Sequence, residues 1–262
     1  DLAYCNQAVC SPSRNSLMTG LRPQTIGIYD LPTHFRLAAP DVVTLSQYFV
    51  NHGYHAAGLG KIYHTGHGNK DDKLSWSVPS WRPKTPSYVD KNNLAAIRSD
   101  SKGKMRGPAT ESADVSDDTY ADGLIAAEAV KRLESFKQSP NEPFFLAVGF
   151  LKPHLPIISP KRYWDLYEPS ALPMPKTDSD PVGAPSDAKP SFGELRNYSD
   201  MPSEGAIDEP TTRHLIHGYY AATSYTDAQI GKLLDALDRL QLADNTVIAL
   251  WGDHGWHLGD HG

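Results

Sequence analysis

The sequence predicts an α/β domain in which a largely parallel sheet is flanked by helices. Three observations carry this expectation. Short apolar runs alternate with longer segments of helical periodicity. Two of the runs, "PFFLAVGFL" and "NTVIALW", are apolar without alternation, as strands covered on both faces are. Polar clusters follow the runs directly, where open α/β sheets place their ligands. No internal repeat is present, and 262 residues suit one large domain that buries its core without disulfide staples.

The elements follow in order. After Cys10, "SPSRNSLMTG" predicts a short helix, with Pro12 suited to its first turn and Gly20 to its end, so Cys10 sits at a helix N-terminus. "TLSQYFVNHG" predicts a second helix stopped by Gly53, and a strand near "YHAAGLG" delivers Lys61 at its C-terminal end. "TYADGLIAAEAVKRLESFK" carries Ile125, Ala129, Leu133 and Phe136 at helical spacing. The buried strand "PFFLAVGFL" follows, and "KPH" comes directly after it. "HLIHGYYAATSYTDAQIGKLLDALDRLQL" is a long helix with Ile230, Leu233, Leu234 and Leu237 on one side, a stripe read as core as far as Leu240. "NTVIALW" is expected as another buried strand and runs straight into "GDHGWHLGDHG". Residues 66–118 and 168–212, rich in Pro, Ser and Asp, lack periodicity; loops this long are lids over a site or disordered, and substrate specificity is expected to reside in them.

Composition narrows the function. Hydrophobic residues make up 39% and the mean hydropathy is -0.47, and no apolar run is long enough to cross a bilayer as a helix. A net charge of -6 gives no general attraction to nucleic acid or acidic membranes, so an anionic substrate must be held by a local cluster of Arg, Lys and His. The opening "DLAYCNQ" has no basic or apolar leader ahead of it, so any signal peptide is expected to have been removed or left out.

Lys61, His64, His154, Asp253 and His254 all follow expected strands, and one site collects them if the sheet forms as expected. Cys10 and Arg14 join from a helix N-terminus, which favours an anion such as sulfate or phosphate and suggests hydrolysis of an anionic ester. Each residue also has a plainer reading. Lys61 alone reads as a solvated surface lysine, His154 as a strand cap, and Asp-His dipeptides are common. Cys10 is open to three readings: a disulfide to Cys5, a thiol nucleophile, or a residue converted into something else. Cys5 is expected as a small buried residue. His52, His55, His67, His214, His217, His257 and His261 receive no role.

"CSPSRNSLMTG" resembles the signature of the sulfatase family, Cys-x-Pro-Ser-Arg followed by Thr-Gly, whose cysteine is oxidised to formylglycine. "GKIYH", "KPH" and "GDHGWHLGDHG" occur in the order the family has them, and "GYYAATSYTDAQIGKLLDALDRLQLADNT" looks most like the branch acting on 2-sulfated iduronate. The resemblance implies an alkaline-phosphatase-like sandwich with a largely parallel central sheet, and a Cys10 converted to an aldehyde and hydrated. It further implies that Arg14 steadies the diol, Lys61 binds sulfate, and His64 takes the proton that releases it. His154 binds sulfate or protonates the leaving alcohol. Asp253, His254 and the Cys10-derived oxygen are implied as ligands of Ca²⁺, with Mg²⁺ as the competing ion. The implied partners are a sulfated carbohydrate substrate and a formylglycine-generating maturation enzyme, in an extracytoplasmic compartment: periplasmic, secreted or lysosomal.

The family also has an earlier strand bearing paired aspartates, a further lysine and a smaller C-terminal subdomain, none of which has a counterpart here. Residues 1–262 are therefore expected to be a partial catalytic domain, truncated at both ends, that binds metal weakly and hydrolyses little by itself. Three alternatives stand beside the reading of a sulfatase acting on 2-sulfated iduronate: another sulfatase specificity, a phosphoester or phosphonate hydrolase of the same superfamily, and a non-catalytic binding protein for sulfated glycans.

Overall fold

A computed structural model describes residues 3–100, 103–177, 179, 181–185 and 193–261. In chain order the elements are α1 (Cys10–Thr19), α2 (Pro23–Ile26), α3 (Phe35–Ala38), α4 (Leu45–Asn51), β1 (His55–Gly60), α5 (Lys91–Ala95), β2 (Arg98–Ser99), β3 (Met105–Arg106), β4 (Thr110–Glu111), α6 (Ala121–Lys137), β5 (Phe144–Gly149), β6 (Ile157–Ile158), α7 (Lys161–Trp164) and α8 (Glu209–Arg239). The chain divides into two compact units. The first is Asp1–Pro83, Ile125–Phe150 and Ile230–Trp256; the second is Lys84–Leu124, Leu151–Gln229 and His257–Gly262.

In the first unit β1 and β5 pair in parallel, His55 opposite Phe144 through Gly60 opposite Gly149. Trp81 adds a bridge on the other side of β1, beside Leu59. α1 begins at Cys10 and ends where Gly20 takes a left-handed conformation that an L side chain resists. Thr44 caps α4 by accepting from the Gln47 N–H. Met18, Ile26, Ile28, Phe35, Ala56, Tyr63 and Trp76 form one apolar cluster. Ile125, Ala129, Leu133 and Phe136 of α6 are all buried, as their spacing predicts.

A buried polar network fixes the connection after β1. Arg36 grips Asp72 through Nε and Nη2 at 3.0 and 2.8 Å. Ser75 donates to Asp72 and exchanges hydrogen bonds with Thr44 and Tyr63. Burial opposes ionisation of Asp72, but the bonds from Arg36 and Ser75 outweigh it and hold its carboxyl below the usual range.

β1 and β5 stop at glycines that touch. At Gly60, with φ +68, a Cβ would lie 2.1 Å from the Gly149 carbonyl oxygen; at Gly149 it would meet the Lys61 carbonyl oxygen at the same distance. The backbone around Lys61 can approach β5 this closely only because both positions lack a side chain.

The second unit contains the parallel pair β4–β6 and the antiparallel pair β2–β3. Its centre is the carboxylate of Asp117, which accepts from Tyr163 and Gln229 at 3.0 Å and pairs with Arg162. Tyr88, Tyr120, Ile158, Tyr163, Trp164, Ala221 and Tyr225 pack around it.

Four expectations need correction. "NTVIALW" is not a buried strand: residues 246–251 carry no strand assignment, and Val247 and Leu250 are 98% and 74% exposed. A strand needs a neighbour for its backbone N–H and C=O groups, and no described segment pairs with this one. β5 is half-buried along its length, because among the described strands it pairs with β1 alone. On α8 the Ile230–Leu240 stripe is core only at Ala236 and Leu237, which pack on Leu133; Leu234 is exposed. Cys5 is exposed rather than buried, since residues 3–8 precede α1 without regular structure, and it forms no disulfide with Cys10. Of the two aperiodic stretches, 66–118 contains α5 and the short strands β2–β4. Residues 101, 102, 178, 180 and 186–192 lie outside the described ones.

Candidate active site

The site in the first unit is assembled from three segments far apart in the chain. α1 supplies Cys10 and Arg14, the end of β1 supplies Lys61, and the extended segment after residue 251 supplies Asp253 and His254. Cys10 Sγ lies 3.2 Å from His254 Nε2 across 244 positions of sequence, and Lys61 Nζ donates to the same sulfur at 3.4 Å. Were Cys10 oxidised, its oxygens would project from where Sγ now stands.

Arg14 ties all three segments together. Its Nε donates to Asp253 Oδ2 at 2.8 Å, and its Nη1 donates to the carbonyls of Lys61 and of Ile62, the latter at 3.1 Å. Arg14 and Asp253 are only 15% and 19% exposed, so this charge-assisted bond is weakly screened. Ser13 adds a hydrogen bond to the Asp253 carbonyl. The planar guanidinium fork thereby sets where Lys61 leaves β1 and where Asp253 points.

The donor atoms of Cys10, Asp253 and His254 lie within 4.8 Å of one another, the one such grouping found among the described residues. One sulfur or side-chain oxygen, one carboxylate and one imidazole suit part of the sphere of a divalent cation; a calcium ion takes 6–8 oxygens. His254 has a raised pKa. Its hydrogen bond to Cys10 is the main cause, burial opposes, and the Asp253 carboxylate adds to the rise. A cation bound there would displace the proton that this environment favours.

His64 stands three residues beyond Lys61. Its Nε2 is 3.2 Å from Nδ1 of His67, with the rings stacked, and its Nδ1 is buried with no partner among the described residues. His154 belongs to the second unit. There Lys152 Nζ donates to the His154 carbonyl at 3.0 Å, and His154 Nε2 is 3.9 Å from a carboxylate oxygen of Glu194. The segment bearing His154 is anchored by Asp122, whose oxygens each accept a backbone N–H, from Leu151 and Lys152, at 2.8 Å. Sequence reasoning missed Asp122, Ser13 and His67. Ser13 stood next to recognised residues, whereas Asp122 read only as the first turn of a helix.

Arrangement and sequence together define the class: the chain belongs to the sulfatase family, whose family model matches residues 2–262. It is 36% identical to human iduronate 2-sulfatase over 99% of its own length and 48% of that protein. To a sulfatase of Formosa agariphila it is 34% identical, over 99% of this chain and 52% of the relative. The chain therefore spans about half the length of the relatives it matches. A phosphonate monoester hydrolase from Silicibacter pomeroyi superposes with a TM-score of 0.67 at 19% identity, covering 98% of this chain and 55% of that one, a likeness of fold.

Proposed function

We propose that this protein is a sulfuric ester hydrolase that removes sulfate from a sulfated sugar, and that its substrate is a 2-sulfated iduronate or a close relative. The observation that carries the reading is the meeting of Cys10 with Lys61 and His254. The 36% identity to iduronate 2-sulfatase supports the choice of sugar.

Oxidised to formylglycine by a maturation enzyme and hydrated, the Cys10 side chain supplies a geminal diol, one hydroxyl to take sulfate from its ester and the other, once deprotonated, to release it. A divalent cation, Ca²⁺ in this proposal with Mg²⁺ as its competitor, supplies Lewis-acid polarisation of the sulfate oxygens, and Asp253, His254 and the converted residue 10 hold it. Lys61 brings an ammonium to the position a sulfate oxygen takes. Arg14 keeps Asp253 and the Lys61 loop in register. His64 accepts the proton whose loss frees sulfate, and the role of His154, to bind sulfate or protonate the departing alcohol, rests on the family resemblance alone. No helix among the described residues is long and apolar enough to cross a membrane, and the family resemblance supports an extracytoplasmic compartment.

The test is release of inorganic sulfate, against phosphate from the matched phosphate esters, by the full-length protein expressed with a maturation enzyme. Mass spectrometry of the Cys10 peptide accompanies it. Sulfate release with an aldehyde at residue 10 is expected. Faster phosphate release favours the phosphoester or phosphonate hydrolase reading, and an unmodified thiol with no turnover favours a binding protein for sulfated glycans.

A further inference from the structure

Arg82 lies in the aperiodic stretch 66–118, and its guanidinium sits against the loop that carries Lys61 and His64. The placement follows from the backbone. Trp81 donates its N–H to the Gly58 carbonyl at 2.9 Å and accepts from the Gly60 N–H at 2.8 Å, so it runs beside β1 as a parallel bridge opposite Leu59. Residue 82 therefore emerges at the same sheet end as Lys61. Its Nη2 donates to the Tyr63 carbonyl at 3.3 Å, and its Nη1 donates to the Thr65 hydroxyl. Arg14 holds the carbonyls of residues 61 and 62 and Arg82 holds that of residue 63, so two guanidinium groups brace consecutive peptides of one loop.

This concentrates positive charge in a chain whose net charge is -6. Burial lowers the Arg82 pKa, the carboxylate of Asp71 opposes that, and the nearby charge of Arg14 adds to it. Arg14, Lys61 and Arg82 thus gather against the carboxylates of Asp253 and Asp71. Arg14 is committed to Asp253 and Lys61 faces Cys10. Residue 82 as a whole is exposed: the bond from its Nη1 to Thr65 lies on the exposed side of the loop, while the bond from its Nη2 to Tyr63 is partly buried. A side chain kept charged beside another cation lowers its energy when an anion arrives, and a planar fork suits a carboxylate or a sulfate.

We infer that Arg82 reads a second anionic group on the substrate, a carboxylate or second sulfate on the sugar whose ester is cleaved at Cys10. The inference rests on the proposed hydrolase reading and deepens it. Arg82 sets which sulfated sugars are accepted, while Lys61 and residue 10 act on the ester itself.

The experiment compares kcat/KM of the full-length matured enzyme and of Arg82→Gln and Arg82→Lys on three substrates. These are a neutral sugar with one sulfate, the corresponding sulfated uronate, and the neutral sugar with two sulfates; thermal melting checks folding. Arg82→Gln replaces a charge-assisted hydrogen bond with a neutral one. It is expected to lower kcat/KM about 10- to 100-fold, mostly through KM, on whichever doubly anionic substrate Arg82 reads. The neutral sugar with one sulfate is expected to lose less, because there Arg82→Gln removes only the support given to the Tyr63 carbonyl and Thr65, and Arg82→Lys is expected to restore part of the difference between the substrates. Comparing the uronate with the disulfate tells a carboxylate from a second sulfate. Equal effects on all three substrates, or none, overturn the role of Arg82 while leaving the hydrolase reading intact. Absence of turnover of any substrate by the unsubstituted enzyme overturns both.

Discussion

Replacing Arg14 with lysine isolates what the guanidinium fork does. Arg14 makes three hydrogen bonds, to Asp253 Oδ2 and to the carbonyls of Lys61 and Ile62, and a lysine ammonium can keep the first but cannot reproduce the fork geometry of the others. Hydrogen bonds to a charged donor contribute about 1.5–3 kcal/mol each. Lys61 and Ile62 are both half-buried, so water offsets part of the loss, and a net cost of about 2–3 kcal/mol follows. If that cost falls on the placement of Lys61 against residue 10, kcat/KM for sulfate release drops about 30- to 150-fold. Arg14→Ala is expected to cost more in both activity and thermal midpoint, because the poorly solvated Asp253 carboxylate then loses its guanidinium donor and keeps the His254 N–H as a weaker one. The measurements are steady-state sulfate release and thermal unfolding of the full-length enzyme. An Arg14→Lys variant within about threefold of the parent in kcat/KM would show that the fork does not position the site.

Three further outcomes follow from other parts of the molecule. Gly60→Ala forces a Cβ against the Gly149 carbonyl at positive φ, and a loss of more than about 3 kcal/mol is expected in urea unfolding; near-normal stability would contradict the close approach of β1 and β5. Arg36→Met strips the partner from a buried Asp72 and is expected to cost about 3–5 kcal/mol in the same assay, with Asp72→Asn in the Met background recovering part of it. His214 packs against Trp164 and Thr110, with His217 on the same helix and Asp200 nearby. Burial lowers its pKa first, His217 lowers it further, and Asp200 opposes. Its folded pKa lies below its unfolded one, so the unfolded chain takes up the proton first as pH falls from about 6.5. Stability attributable to this group is complete above that pH and declines below it. His214→Gln is expected to flatten the fall in unfolding midpoint between about pH 7 and pH 5, and an unchanged slope would remove His214 as its source.

Much of this was legible in the chain itself. Helix α1 was readable from Pro12 and Gly20, β1 from its apolar run, and α6 from the spacing of Ile125, Ala129, Leu133 and Phe136, because these signals are local and depend only on backbone conformation and periodicity. The motif from Cys10 to Gly20 pointed to the chemistry for a similar reason: reacting groups and their immediate supports sit a few residues apart. What periodicity alone could not supply was the neighbour of a strand, so "NTVIALW" was read as buried although no described segment pairs with it.

Residue types, their order and their local conformations were determined by sequence alone, and with them the expectation of an anionic ester; the converted cysteine came from the resemblance of "CSPSRNSLMTG" to the sulfatase signature. Tertiary structure decided which of the candidates meet: Cys10, Lys61 and His254 converge, with Arg14 bridging Asp253 to the backbone at Lys61. It also decided that Arg82, from a stretch without any pattern, reaches the Tyr63 carbonyl beside them. The physical reason is that charge, hydrogen bonding and excluded volume act over a few ångströms of space regardless of chain separation. The interactions that make a site from residues 10, 61 and 254 therefore leave no periodic trace along the chain.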